Sequence, residues 1–164
     1  MKTQTRNRVF ETNSSSSHSI TVSGTEAEDF GLGREELRSG VIEINCHSDF
    51  GWEWTEFHDT KQKIAYMLMQ CDPNGFNEGV EPQDDIIPKL AAENENARWL
   101  VDLIEEATGC RVEFRVGRWV GIDHQSHGEG AELFGSGQEM RRFLFSPSSY
   151  LRTGNDNTDP YGYS

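Results

Sequence analysis

Residues 86–116, IIPKLAAENENARWLVDLIEEATGCRVEFRV, hold a change of rhythm from which the architecture can be read. Up to Thr108 the apolar side chains recur at helical spacing, with Ile86, Leu90, Ala97, Leu100, Val101 and Ile104 on one face. Such a stripe predicts a helix laid on a core. Gly109 follows as a residue that readily takes the left-handed conformation of a helix end. Pro88 falls in the first turn, where a missing N–H is tolerated. From Cys110 the period drops to two: Cys110, Val112, Phe114 and Val116 alternate with Arg111, Glu113 and Arg115. That is a strand with one apolar and one charged face. Gly117-Arg118 reads as a tight turn and Trp119 to Ile122 as the returning strand of a hairpin, which leaves Asp123 to His127 in the loop beyond.

Working outward, Ser19 to Val22 and Val41 to Cys46 read as strands, with a helical turn at Arg34 to Arg38 between them. Ile64, Met67, Leu68 and Cys71 mark a helix entered at Asp59 and stopped by Asp72-Pro73-Asn74-Gly75. Phe76 to Gln83 lacks periodicity and reads as a loop. Ser136 and Glu139 match a capping box ahead of Met140, Phe143 and Leu144, predicting a short helix, although Phe143 to Phe145 also suits the start of a strand. From Ser146 the tail is rich in Pro, Ser, Gly, Asn and Asp, with Tyr150, Tyr161 and Tyr163 to bury, and reads as a closing loop. No repeat or linker interrupts the chain. The expectation is one α+β domain over 1–164, with a mainly antiparallel sheet packed on two or three helices.

The chain has 164 residues and a formal charge of −13. The acidity is concentrated between 26 and 106, where 20 Asp or Glu face 6 Lys or Arg. A field of that sign repels phosphates, so sequence-wide nucleic-acid binding is not expected, and it favours cationic partners. No apolar stretch has the length of a membrane span, and the opening MKTQTRNRVF lacks the apolar region of a secretion signal, which predicts a cytoplasmic protein. Cys46, Cys71 and Cys110 are odd in number and widely spaced, as reduced thiols are.

Several stretches carry side chains with chemistry. Thr12, Asn13, Ser14, Ser15, Ser16 and Ser17 precede His18 and lie between the apolar pairs Val9-Phe10 and Ile20/Val22. Hydroxyls and closely spaced backbone N–H groups can cradle an anion, and His18 can carry a proton near neutral pH. A flexible serine linker is the plainer reading. Asp123-His124-Gln125-Ser126-His127-Gly128-Glu129 makes His124 a second candidate acid or base. His124 and His127 have no HExxH context, and His124-Gln125-Ser126 is only half of the two-histidine phosphoesterase pattern. No metal site is assigned, and no cofactor is indicated. Arg111, Arg115, Arg118, Arg141, Arg142 and Arg152 can contribute to an anion pocket, with Arg115 and Arg152 chosen as ligand-binding, or can pair with the acidic middle. Phe50-Gly51-Trp52-Glu53-Trp54 reads as packing, so Cys46, His47 and His58 are not taken as a metal group.

The string Arg8-Val9-Phe10-Glu11-Thr12-Asn13-Ser14-Ser15-Ser16-Ser17-His18-Ser19 resembles the opening of a family of small bacterial and bacteriophage proteins of uncharacterised function. Phe50 to Trp54 and Tyr150-Leu151-Arg152-Thr153-Gly154-Asn155-Asp156-Asn157 resemble further parts of that pattern. The resemblance implies a phage or mobile-element origin in a bacterial host, and no activity. It also suggests that the serine stretch, the histidine loop and the segment with Asn155 and Asp156 converge. The sequence therefore predicts an anion or nucleotide-phosphate site, catalytic or not, in which His18 and His124 handle protons. The competing reading is a non-enzymatic acidic protein, an inhibitor or nucleic-acid mimic, acting on a basic host protein; a virion or assembly component is the third. The anion reading requires Ser14 to His18, His124 and Arg115 or Arg152 to line one cavity.

Overall fold

Gly109 adopts φ +70° and closes the long amphipathic helix by donating its N–H to Glu105 O, which frees the chain to start a strand at once. The computed structural model describes residues 16–24, 27–48, 50–51, 53–76, 81–118 and 120–155. In chain order its elements are β1 (Ser19–Thr21), α1 (Arg34–Ser39), β2 (Val41–Cys46), β3 (Thr55–Phe57), α2 (Thr60–Cys71), α3 (Ile87–Glu93), α4 (Glu95–Thr108), β4 (Arg111–Val116), α5 (Gly137–Phe145) and β5 (Tyr150–Thr153). Short 3₁₀ turns occupy His124–Ser126 and Ala131–Gly135. This is the α+β fold expected, with differences in how the pieces pair.

The strand after Gly109 does not form a hairpin. β4 lies parallel to β2, with Ile42 beside Val112, Ile44 beside Phe114 and Cys46 beside Val116. Parallel neighbours need a crossover, and here α2, α3 and α4 supply it. Among the described residues no returning strand follows: Ile122 makes only an isolated bridge with Phe50, and Trp119 lies outside them. A second, antiparallel sheet has the order β1-β5-β3. Its central strand comes from the tail read as a loop. Tyr150-Leu151-Arg152-Thr153 is short, but Leu151 and Thr153 are buried, and neighbours on both sides satisfy its backbone.

The helix expected from Ile86 to Thr108 is two helices joined at Asn94. Its backbone N–H ends α3 on Leu90 O, its Oδ1 accepts from Ala97 N to start α4, and its Nδ2 donates to Cys71 O. One asparagine thus caps two helices and ties both to the end of α2. At α5 the serine half of the capping box forms, with Ser136 Oγ accepting from Glu139 N, whereas Ser136 N–H donates to Leu133 O instead of the Glu139 side chain; Phe143 to Phe145 are helical.

α2 is the centre of the molecule, packed against β2, α4 and α5. Nine of its twelve residues are buried, among them the polar Lys63, Tyr66 and Gln70. Lys63 donates to Ser146 O and Ser149 O, and burial pulls its ammonium down to about 8.

Candidate functional site

Parts of three polar stretches singled out in the sequence do meet: Ser16 and Ser17, the 123–126 turn, and Gly154-Asn155. Ser16 is held by three contacts to the histidine loop: its N–H donates to Gln125 Oε1 at 2.7 Å, its Oγ–H to Asp123 Oδ1 at 2.6 Å, and its Oγ lies 3.0 Å from Ser126 Oγ. Ser16 also bridges to Asn155, while Ser17 N–H donates to Gly154 O. Asp123 in turn starts the 3₁₀ turn, accepting from Gln125 N at 3.0 Å. Gly130 closes the loop onto β1 at φ +77°, a conformation that favours glycine, and a Cβ there would push Ile20 Cδ1 aside from 2.4 Å.

Below this junction runs a buried hydrogen-bond chain. His18 is 6% exposed, with Nε2 at 3.0 Å from Gly51 O and Nδ1 at 3.1 Å from Tyr66 Oη. A carbonyl only accepts, so Nε2 carries the proton and Nδ1 receives the tyrosine hydroxyl. Gln70 Nε2 donates to Tyr66 Oη and Ser126 O, and Gln70 Oε1 accepts from Gly128 N. Every polar atom of the Gln70 amide is thus matched. Burial lowers the His18 pKa, which keeps the ring neutral, with both nitrogens engaged inside the protein.

The remaining candidates are distributed otherwise. His124 is on the rim, 77% exposed, with Nδ1 3.8 Å from Asp123 Oδ1. His127 Nε2 lies 3.2 Å from Ile122 O, and among the described residues no group of His, Cys, Asp or Glu that could hold a metal includes it or His124. Arg152 is on β5, directly across from Ser19, but its guanidinium donates to Glu56 Oε1 at 2.6 and 3.1 Å and lies over the rings of Trp54 and Tyr150. That hydrogen bond holds the Glu56 carboxyl below the usual carboxylate range. Arg115 is on β4, in the other sheet, within 3.6 Å of Asp84 and 3.5 Å of Glu113. Arg118 pairs with Glu81, Arg141 with Glu28 and Arg111 with Glu113. Pairing with acids, four of them from the 26–106 segment, is therefore how these arginines are used. Thr12, Asn13, Ser14, Ser15 and Asp156 lie outside the described residues.

The sequence reading missed Tyr66, Gln70 and the Gly51 carbonyl. A signal existed: Lys63, Tyr66 and Gln70 form a polar stripe at spacings of three and four along a helix that is otherwise apolar on that face. No protein-family model, curated protein or solved structure matches this chain.

Proposed function

We propose that this chain acts by binding a basic protein through an acidic face that carries aromatic and aliphatic side chains, without performing chemistry. The observation that carries the reading is the outward side of α4. Glu95, Asp102 and Glu106 are exposed there at helical spacing, around exposed Arg98, whose Nε donates to Ala91 O, and beside half-buried Trp99 and Leu103. Trp99 stacks edge-to-face on Phe134, with ring centroids 5.8 Å apart, and exposed Glu132 and Glu139 flank that contact in sequence. Aromatic side chains are common energetic anchors of interfaces, while a ring of carboxylates steers and orients a cationic partner. The formal net charge of −13, counted with every Lys and Arg included, adds to this reading, because a field of that sign draws a cationic partner. Resemblance of the opening segment to bacteriophage proteins supports a bacterial host protein as the partner, with inhibition or nucleic-acid mimicry as the effect.

Immobilised protein incubated with bacterial lysate and eluted in a rising salt gradient tests the idea. The expected result is a basic protein that leaves as the charges become screened, and that a Glu95→Lys, Asp102→Lys, Glu106→Lys triple variant fails to retain. Equal retention by the triple variant overturns it. The anion-binding reading of the serine stretch keeps one supporting observation, the meeting of Ser16 with the 123–126 turn. Asp123 at the centre of that junction weighs against it, since a carboxylate repels an incoming anion. A thermal-shift panel of nucleotides decides between the two: stabilisation that vanishes in Ser17→Ala or His124→Ala favours the anion site.

A further inference from the structure

A cavity of about 220 Å³ opens between the loop before α1 and the helix α5, lined by Gly24, Glu28, Gln138, Arg141, Arg142 and Ser146. From its lining, we infer that it is a binding site for a small multiply charged oxyanion of the phosphate or diphosphate kind, closed by Glu28 when empty. Gln138, Arg141 and Arg142 fall on one turn-and-a-half of α5, at spacings of three and four, so two guanidinium groups and an amide face the same space. Arg141 already holds an anion in the two-pronged geometry suited to carboxylates and phosphates, through Nε to Glu28 Oε1 at 3.0 Å and Nη2 to Glu28 Oε2 at 2.7 Å. Arg142 is exposed and, among the described residues, has no acidic partner. One cation of the pair is therefore occupied by an internal carboxylate and the other is open.

Glu28 is suited to give way. Its carboxylate and the Arg141 guanidinium are each more than a third exposed, so salt screens the pair and water rehydrates both groups when it opens. Glu28 is also outside any helix or strand, and its neighbour Asp29 is anchored separately, by N–H to Phe145 O. Beneath the cavity Lys63 Nζ is 3.0 Å from the carbonyl of the lining residue Ser146, which adds a buried cation below the floor. Asp29 and Asp59 act on Lys63, and Glu106 on Arg141, at longer range. The volume is below that of drug-sized pockets, which suits a compact ion better than a nucleotide base.

Titration of the full chain with sodium diphosphate by calorimetry, at ionic strength held constant with sodium chloride, tests the site. Saturable one-to-one binding is expected. Arg142→Gln weakens it by roughly tenfold or more, as the loss of a charge-assisted contact does. Glu28→Gln strengthens it by about threefold or more, because Arg141 no longer has an internal anion to release. Arg34→Gln, on exposed α1, serves as the control for general charge and leaves the affinity unchanged. Circular dichroism of each variant without ligand confirms folding; Gln138→Ala, which also weakens binding on this reading, replaces any arginine variant that does not fold. Absence of saturable binding in both the wild type and Glu28→Gln overturns the site, as does equal weakening by Arg142→Gln and Arg34→Gln.

Discussion

His18 shows how a residue that looks chemical in sequence is placed by its neighbours. It donates to Gly51 O and accepts from the Tyr66 hydroxyl, and burial favours its neutral form. Because its pKa is lowered in the folded state, the unfolded chain takes up the proton more readily as acidity rises. The contribution of a neutral His18 is complete above the ordinary imidazole value of 6.5 and is lost as pH falls below it towards the lowered folded value. Urea unfolding at about pH 7.5 and about pH 5.5 should show that loss in the wild type and a smaller one in His18→Leu. His18→Leu also leaves the Gly51 carbonyl and the Tyr66 hydroxyl without this partner, and should cost about 2–4 kcal/mol at the higher pH. The histidine was legible as a titratable group, but its role was not, since Gly51 and Tyr66 are 33 and 48 residues away.

Among the elements, the amphipathic stripe from Ile86 to Ile104 was clear in sequence, and the break at Asn94 was not. Periodicity reports which face is buried and is blind to an interruption that leaves the face continuous. Asn94 ends α3, begins α4 and reaches Cys71 O at 2.7 Å, so three local structures depend on one amide. Asn94→Ala should lower unfolding free energy by about 1–2 kcal/mol, the upper part of the range for a lost cap, measured by chemical denaturation. Asn94→Asp, which keeps the acceptor for Ala97 N and loses the donor to Cys71 O, should fall between the two. β5 was missed for the opposite reason. Four residues between Ser149 and Gly154 carry too little pattern to stand out, and the strand exists because β1 and β3 flank it.

Across the whole molecule, charge is arranged in two ways: Arg115, Arg118, Arg141 and Arg152 pair with Asp84, Glu81, Glu28 and Glu56, and exposed carboxylates remain on α4. With a formal charge of −13, self-repulsion outweighs these mostly exposed pairs. The melting temperature should therefore rise by a few degrees between about 0.02 and about 0.3 M sodium chloride, where the screening length becomes shorter than the protein. A fall over that range, read by calorimetry, would mean that the pairs dominate. Helices and single strands were readable from the chain because their cause is local: spacing of apolar groups, a capping serine, a glycine at a helix end. Partnership between β2 and β4, the seat of β5 and the meeting of Ser16 with the 123–126 turn were not, since each joins segments about 70 to 135 residues apart. Such contacts are selected by how the whole set of apolar faces is buried together, and that selection has no signature within any one segment.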